Sequence, residues 1–436
     1  MRFAIYTLGC KVNQYESQAM QSVLEGQGHC CVPFEEEAEL YIINTCSVTA
    51  VSDKKSRQVI RRVRRQTPQA VIAVCGCYAQ AEPEQVAALD VDLVSGTGNR
   101  MDFLSLCHTE VQRRQQPIVR VDDALHRYDF EVLPAGGLEG RTRAMLKVQD
   151  GCRNFCSYCI IPYTRGARRS EPLERAVEQA RELEAKGFHE IVVTGIEISS
   201  WGVEWKDGSS LIDLLEALCS AVPSLRIRLG SLEPRTITQE FCQRASKLSN
   251  LCPHFHLSLQ SGCDSVLKRM NRRYDTARYL ESCRLLREHF DRPSITTDLI
   301  VGFPGETEEE FLQTLSFLEQ ADFAEMHIFP YSRRPGTVAD RMGGHLSNAV
   351  KEDRVHRASA AAAALADRYL HSFIGNTLPV LLEEEKNGLW RGHAPNYVDV
   401  HVKAEGNWHN VLTEVCISGV EAGHLIGQLN RDCLHN

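Results

Sequence analysis

Segments typical of β-strands and of helices alternate along most of this 436-residue chain, and this alternation limits its possible folds more than any other feature. In the first quarter, aliphatic or β-branched runs at 3–8, 40–43, 70–74 and 91–94 are separated by helical stretches near 15–25 and 53–66. Alternating βα units predict a parallel sheet covered by helices. We therefore expect an N-terminal parallel α/β domain over residues 1–115.

The same alternation continues from about residue 144 to 332. Strands are predicted at 145–148, 190–193, 225–229, 254–259, 296–301 and 325–329, with helices at 173–186, 211–221, 276–289 and 308–319. A closed barrel of this kind has eight βα units, and only six are found here. The sequence therefore predicts an open, partial (β/α)6 barrel over residues 138–370, preceded by a linker at 134–137. An Ala-rich stretch at 351–369 predicts a long helix.

The last segment, residues 371–436, has no helical period. Short strand-like runs at 378–382, 389–392, 397–402 and 410–417 are separated by turn residues, which favours a small all-β barrel. The predicted fold class of the whole chain is thus α/β, with this barrel as the third domain. We interpret Cys416 and Cys433 in this segment as ordinary thiols, because no partner lies at motif spacing.

The composition of the chain excludes some classes of protein. The net charge of −8 excludes a uniformly basic nucleic-acid coat, and no stretch approaches the roughly 18 apolar residues of a membrane span. The apolar run at the N-terminus is too short for a signal core, so we expect a cytoplasmic protein without a membrane partner. Its 17 cysteines are then metal ligands, catalytic groups or buried thiols rather than disulfides.

Three cysteines, Cys152, Cys156 and Cys159, follow the first predicted barrel strand with the spacing C-x3-C-x2-C. Active sites of such barrels lie on loops at this end of the strands. Three thiolates can hold a [4Fe–4S] cluster and leave one iron open to another chelator. A zinc site or three packed thiols are the alternatives, although structural zinc usually takes four ligands.

A second group of cysteines lies at the ends of N-terminal strands: Cys10, Cys46 and the pair Cys75 and Cys77. The carboxyl ends of parallel strands meet at one edge of a sheet, where α/β folds bind ligands. These cysteines can therefore converge on a second cluster, or they can be buried thiols; spacing alone leaves both open.

The barrel segment resembles the radical S-adenosylmethionine (SAM) superfamily, whose members carry this C-x3-C-x2-C spacing in a partial βα barrel. The resemblance implies a [4Fe–4S] cluster on these three cysteines, with the amino acid end of SAM on the open iron. Further motifs match at the ends of strands two to five. The positions that the resemblance places around SAM are Tyr158, Gly195, Glu197, Ser231, Glu233, Ser258, Gln260, Asp298 and Ile300.

The whole chain is similar to the methylthiotransferases in domain order and in motif. Their auxiliary [4Fe–4S] cluster occurs in Gly-Cys-x-x-Asn, Asn-Thr-Cys and Gly-Cys-x-x-Gln contexts, which read here as 9–13, 44–46 and 76–80. The resemblance implies Cys10, Cys46 and Cys77 as ligands, and it favours Cys77 over Cys75. The C-terminal segment resembles the RNA-binding TRAM domain, with Asn396-Tyr397-Val398 fitting its pattern.

Seven basic residues lie among the twelve of segment 54–65, directly after the Cys46 loop. Like charges at helical spacing cost stability, so a polyanion is a sensible partner, although a solvated face is the ordinary interpretation. We expect this helix and the TRAM segment to contact tRNA phosphates, with Arg165, Arg168 and Arg169 extending the track.

The resemblance implies that one cluster, supplied by a low-potential electron donor, cleaves SAM to a 5′-deoxyadenosyl radical, while the auxiliary cluster supplies sulfur and a second SAM the methyl group. Segment 194–202 looks like the branch that adds a methylthio group to C2 of N6-threonylcarbamoyladenosine (t6A) at tRNA position 37, apart from Glu197 and Trp201. Ser199 and Ser200 are expected to face the nucleotide. The alternatives are isopentenyladenosine-37, an aspartate of a ribosomal protein, or a non-enzymatic iron–sulfur RNA-binding protein.

Overall fold

A computed structural model describes residues 1–109, 113, 116–135 and 142–430. Two of the predicted linker residues, Gly136 and Gly137, and also Cys433 lie outside this part. None of the helices in the described ranges is both long and apolar enough to cross a membrane.

The N-terminal part forms a parallel sheet of six strands in the order β2-β1-β3-β4-β5-β6. The strands are β1 (Arg2–Thr7), β2 (Cys30–Cys31), β3 (Leu40–Thr45), β4 (Val71–Gly76), β5 (Leu93–Ser95) and β6 (Ile118–Arg120). The helices are α1 (Lys11–Gly26), α2 (Ala50–Gln66), α3 (Cys77–Ala81), α4 (Pro83–Ala87) and α5 (Arg100–Thr109). Every residue of β3 and β4 is buried, which explains their unbroken apolar character.

Six parallel strands then form the partial barrel. Its strands are β7 (Arg143–Asp150), β9 (Glu190–Gly195), β10 (Arg226–Leu229), β11 (His254–His256), β12 (Ser294–Val301) and β13 (Glu325–Pro330). A short strand, β8 (Arg169–Ser170), pairs antiparallel with β7 at the edge. A parallel bridge between Leu232 and Leu257 joins the β10 side to the β11 side. This arrangement confirms the predicted open barrel with six βα units.

Helices cover the outside of this sheet. They are α6 (Ile161–Arg165), α7 (Leu173–Ala185), α8 (Leu211–Ala221), α9 (Gln239–Ala245), α10 (Asp264–Arg269), α11 (Thr276–His289), α12 (Glu308–Ala321) and α13 (Asn348–His371). Alternate strand residues such as Leu146 and Val193 pack against them in the largest apolar core. Because neighbouring strand residues point to opposite faces, Lys147 and Arg228 lie on the inner face. The lumen of the barrel is consequently polar.

The C-terminal part is a closed five-stranded barrel, as predicted, in the order β14-β15-β16-β18-β17. Its strands are β14 (Thr377–Lys386), β15 (Leu389–His393), β16 (Asp399–Val402), β17 (Val411–Glu421) and β18 (His424–Leu429). The sheet of the N-terminal part continues to β6, past residue 115. The limits of the three domains stay predictions.

The C-terminal barrel closes the N-terminal end of the partial barrel. Arg228 pairs with Glu190 and donates to the Pro395 carbonyl at 2.7 Å. Tyr397 lies 4.7 Å from the Arg228 guanidinium and stacks on His254 at 5.0 Å. The ring of Tyr397 is thus used in a contact between the two barrels, and RNA binding by the C-terminal barrel stays a prediction.

Candidate functional site

Three N-terminal cysteines converge at the carboxyl edge of the parallel sheet. Cys10 is the N-cap of α1, Cys46 follows β3, and Cys77 opens α3. The Gly9 backbone lies so close that a Cβ there would be 2.9 Å from the Cβ of Cys46. Burial raises the pKa of Cys77 to about 12, and charge on the Cys46 and Cys10 thiols raises it further. The three thiols are therefore neighbours, despite their distance in sequence.

Two asparagines of the same motifs fasten these loops. Asn13 donates to the carbonyls of Leu8 at 2.8 Å and Thr45 at 3.0 Å. Asn44 donates to the Asn13 carbonyl at 3.0 Å. The first bond closes the Cys10 loop on itself, and the other two join it to the Cys46 strand end, so the asparagines hold the edge together.

Cys75 lies on a different side of the sheet. Its side chain is completely buried in an apolar core with Phe3, Phe103 and Cys107. Burial raises its pKa to about 11. The structure therefore groups Cys77, and not Cys75, with Cys10 and Cys46.

The second cysteine group occupies the loop between β7 and α6. Gly151 enters this loop at φ +73°, where a Cβ would lie 1.9 Å from the Ala167 carbonyl oxygen. Cys152, Cys156 and Cys159 follow, all half-buried. The backbone N–H of Asn154 donates to the Cys152 sulfur at 3.4 Å. Tight backbone packing thus fixes the start of the loop.

The two cysteine groups face each other. Burial raises the pKa of Cys159 to about 12, with charge on Cys156 as the next cause and charge on Cys77 a further one. The short helices α3 and α6, which follow the two groups, pack together. A substrate held between these helices and the barrel mouth would lie beside both groups.

The spacing of the sulfurs decides between one metal ion and a cluster. In the described ranges, one set of three His, Cys, Asp or Glu has all ligand atoms within 4.8 Å of one another, and it contains no cysteine. Two sulfurs on a single zinc, each at about 2.3 Å, would be at most roughly 4.6 Å apart. Neither cysteine group forms such a set among the described residues, so neither presents a preformed zinc site.

The predicted SAM residues lie around the second group, at the carboxyl ends of the strands. Glu197, Ser199 and Glu233 line a cavity of about 380 Å³ with Arg168. Burial raises the pKa of Glu197 to about 7, and the charge of Glu233 raises it further. A carboxylate pair of this kind is suited to a cationic ammonium group.

The other predicted positions divide into two sets. Tyr158, Gly195, Ser258, Gln260, Asp298 and Ile300 are half-buried, whereas Ser231 is exposed. Gln260 takes the left-handed conformation at φ +68° and donates its N–H to the Asp298 carbonyl at 2.9 Å. Asp298 also pairs with His256 at 3.3 Å. The role of these positions in SAM binding stays a prediction.

Comparisons with known proteins agree with this geometry. Residues 146–318 match the radical SAM superfamily, and residues 2–96 match a family described as uncharacterized, UPF0004. The chain is 40% identical to the threonylcarbamoyladenosine tRNA methylthiotransferase MtaB of Bacillus subtilis, over 97% of this chain and 94% of that one. It is 35% identical to the tRNA-2-methylthio-N(6)-dimethylallyladenosine synthase of Moorella thermoacetica, over 87% of each.

The chain belongs to the radical SAM methylthiotransferase family. It is therefore an enzyme of methylthio transfer by radical SAM chemistry, and the non-enzymatic alternative is excluded. The family implies a [4Fe–4S] cluster and SAM. Among solved structures, the radical SAM methyltransferase TsrM of Kitasatospora setae shares the fold at a TM-score of 0.57 and 16% identity, covering 78% of this chain and 74% of that one.

Arg165 has a different place in this methylthiotransferase from the predicted one. It is fully buried and pairs with Glu16 at 2.5 Å and with Asn13 at 2.8 Å. It also hydrogen-bonds Cys77 and lowers the pKa of that thiol, against the larger effect of burial. Arg169 is likewise buried beside Asp150. The prediction that both contact RNA is wrong, because neither guanidinium can reach a phosphate.

Arg272 is a site residue that the sequence did not reveal. Its guanidinium donates to the Cys156 sulfur at 3.1 Å and to Glu233 at 2.6 Å. Its side chain is only 6% exposed. It therefore joins a cysteine of the second group to the carboxylate of the adjoining cavity. The Arg-Arg sequence at 272–273 is an ordinary surface pattern, so no local signal distinguishes this residue.

Ser199 and Ser200 make hydrogen bonds within the protein and also line the cavity that contains Glu197. Ser199 accepts a hydrogen bond from the backbone N–H of Glu233 at 2.9 Å, and Ser200 donates to the Glu197 carbonyl at 2.9 Å. They brace the loop after β9. The expectation that these hydroxyls face the nucleotide stays a prediction.

The basic segment forms most of α2, and its side chains fall into two groups. Lys54, Lys55, Arg61, Arg62 and Arg65 are exposed. Arg64 instead pairs with Asp92 at 2.6 Å and donates to backbone carbonyls. The exposed cations form a positive face, on which Arg62 also packs over the Phe34 ring at 5.7 Å, whereas Arg64 has a structural role.

Proposed function

We propose that this methylthiotransferase adds a methylthio group to C2 of t6A at position 37 of tRNA, in the cytoplasm, using electrons from a low-potential donor. The observation that carries the chemistry is the pair of cysteine groups facing each other at the mouth of the barrel. The similarity to MtaB of Bacillus subtilis along nearly the whole chain supports the substrate.

Two [4Fe–4S] clusters fit the two cysteine groups. Cys152, Cys156 and Cys159 would hold the cluster that binds SAM, and Cys10, Cys46 and Cys77 the auxiliary one. The convergence of three cysteines at each place and the membership of the radical SAM methylthiotransferase family support both assignments. When bound, the clusters and SAM supply the radical, the sulfur and the methyl group.

The residues of the chain itself would bind and orient SAM and the two clusters. Glu197 and Glu233 offer carboxylates to the ammonium group of SAM, and Arg272 fixes Glu233 beside Cys156. The cysteine-bearing loops pack together and hold the two cluster sites close to each other, between the N-terminal sheet and the barrel. A fixed distance between them matters, because a radical reaction on an unactivated C–H bond depends on close positioning.

The threonylcarbamoyl group carries a carboxylate, and Lys11 is a cation suited to it. Lys11 lies directly after Cys10 and lines a cavity of about 690 Å³ with Gln14 and Arg228. Burial lowers its pKa, and the charges of Arg228 and Arg143 lower it further. Arg143 is paired with Glu383 and Arg228 with Glu190, so Lys11 is the cation that an entering carboxylate would meet.

The test uses anaerobic enzyme with both iron sites loaded, SAM and reductant. Matched tRNAs bearing t6A or isopentenyladenosine are supplied separately, and the nucleosides are measured by mass spectrometry. We expect conversion of t6A only, since polar groups left unpaired by an apolar analogue can cost factors of about 10⁴. Conversion of the isopentenyl tRNA, or of neither, would contradict the substrate. Lys11→Met should weaken conversion of t6A without reducing SAM cleavage in the absence of tRNA.

A further inference from the structure

The outer face of the C-terminal barrel carries a compact group of three potential metal ligands. Asp399 and His401 lie two residues apart on β16, so their side chains share one face. His424 opens the neighbouring strand β18. The ligand atoms of all three lie within 4.8 Å of one another, and no other such set occurs in the described ranges.

The two imidazole rings are arranged as ligands rather than as hydrogen-bonding groups. Their centroids are 4.4 Å apart, with an angle of 21° between the planes. His424 Nδ1 lies 3.1 Å from one oxygen of Asp399, and His401 Nε2 lies 3.5 Å from the other. Both nitrogens are buried, and neither makes a well-aligned hydrogen bond to Asp399 or to another described residue. Such nitrogens cost free energy unless something occupies them.

The carboxylate of the group is held in place by a neighbouring cation. Arg391 holds the Asp399 carboxylate through two contacts at 2.8 and 2.9 Å. Ligating carboxylates are commonly held by such an outer hydrogen bond, and neutral imidazole is the form that binds metals.

We propose that Asp399, His401 and His424 form a binding site for a divalent zinc-like ion, separate from the cysteine groups. Two imidazole nitrogens and one carboxylate oxygen match the ligand set of zinc sites that keep a fourth position open. Water, or another oxygen ligand, would complete a tetrahedron. This inference does not depend on the substrate proposed above.

A bound ion would stabilise the pairing of β16 with β18, which closes the C-terminal barrel. Strands β16 and β18 pair in parallel through only three registered positions, Val400 with Leu425, His401 with Ile426 and Val402 with Gly427. Every other pairing in this barrel is antiparallel, and parallel pairing is slightly weaker for each residue. An ion bound by one strand and the next would fasten this short pairing.

The experiment compares metal binding by the full iron-loaded chain and by four variants. Each protein is dialysed anaerobically against Zn²⁺ and desalted, and zinc and iron are measured by mass spectrometry. The wild type should retain about one zinc ion per chain more than each of the variants His401→Gln, His424→Gln and Asp399→Asn. His371→Gln is the matched control, because His371 also lies beside a carboxylate, that of Asp367 at 3.3 Å, but lacks a third ligand. It should retain the zinc.

X-ray absorption at the zinc edge distinguishes this site from stray cysteine binding. The expected ligand shell contains nitrogen and oxygen at about 2.0–2.2 Å, without sulfur at about 2.3 Å. Zinc should also raise the unfolding temperature of the wild type and not of the three ligand variants. Unchanged iron content shows that the iron-binding parts of the variants are folded, and an unfolding temperature without zinc equal to that of the wild type shows the same for the C-terminal barrel. A sulfur shell, zinc retained by both histidine variants, or no zinc in the wild type would each overturn the proposal.

Discussion

Two cysteines separated by one residue show how the side chain's direction decides its role. Cys75 lies in the apolar core, whereas Cys77 joins Cys10 and Cys46. Cys77→Ala should therefore lose about four of eight irons in the reconstituted enzyme and abolish methylthiolation, while reductive SAM cleavage persists. Cys75→Ala should keep all the iron. Iron analysis with SAM cleavage assays checks both, and exchanged phenotypes would refute the ligand assignment.

The contact between Arg272 and Cys156 predicts an electrostatic effect on the cluster held there. Arg272→Gln removes a buried positive charge beside the thiolate, so reduction should become harder and SAM cleavage should slow by about 10- to 100-fold. The midpoint potential, followed by electron paramagnetic resonance, should shift to more negative values. Arg273→Gln is the control, because Arg273 is exposed. Equal effects of both variants would remove the specific role of Arg272.

Glu197 predicts a pH dependence of SAM binding. Its pKa is raised to about 7 by burial and by Glu233, so the carboxyl is largely protonated below that pH. The ammonium group of SAM favours the ionised form, and binding would release a proton. The affinity should therefore rise as the pH increases from 6 to 8, by calorimetry on iron-loaded enzyme. Glu197→Gln should bind more weakly with a flat profile; a pH profile that stays steep in this variant would assign the titration elsewhere.

At the scale of elements, α2 combines anchoring and binding in one helix. Its first turn is fixed to the barrel because Asp53 pairs with Arg334 and the Ala50 N–H donates to Ser332 at 3.4 Å. Its exposed cations remain free on the outer face. The helix thus presents positive charge at a fixed position beside the Cys46 loop.

Replacing Lys54, Lys55, Arg61 and Arg65 by Gln should weaken tRNA binding and flatten its salt dependence. Each lost phosphate contact reduces the slope of log K against log salt by roughly 0.9. Binding measured at several salt concentrations checks this, and SAM cleavage without tRNA should be unchanged. Arg64→Gln is the control: it breaks the ion pair with Asp92 and should lower stability rather than the slope. A slope unaffected by the fourfold replacement would make α2 an ordinary solvated helix.

At the scale of the whole molecule, one buried carboxylate joins the N-terminal sheet to the barrel. Glu16 of α1 contacts Arg165 at 2.5 Å, Arg100 at 2.8 Å and Lys147 at 3.3 Å. Burial opposes its ionisation, yet these three cations lower its pKa to about 2. Its stabilising effect is therefore present above the ordinary carboxyl pKa and disappears as the pH falls toward 2.

Glu16→Gln should destabilise the protein by about 3–5 kcal/mol, because it leaves buried cations without their partner. Urea unfolding of the iron-loaded protein at pH 7 measures the loss. Glu178→Gln is the control, since the pair of Glu178 with Arg175 is exposed and surface pairs contribute about 0–1 kcal/mol. Similar losses in both variants would contradict the role of the buried network.

The sequence by itself determined the features that depend on near neighbours. Periodicity and turn residues predicted the parallel sheet, the six-unit open barrel and the closed C-terminal barrel, and the spacing at 152–159 predicted one compact cysteine loop. Strands of two or three residues, such as β2, β6 and β8, were missed because they are too short to show a period. β18 was missed because Gly427 interrupts its apolar pattern.

Only the tertiary structure decided which distant residues meet. It turned Cys75 into the core, buried Arg165 between two domains, brought Arg272 to Cys156 and placed His424 beside His401. Each of these depends on how whole elements pack, which fixes side-chain direction and contact across tens or hundreds of residues. Short-range sequence patterns cannot predict such contacts, because the free energy that selects them comes from burial and charge pairing in the assembled fold.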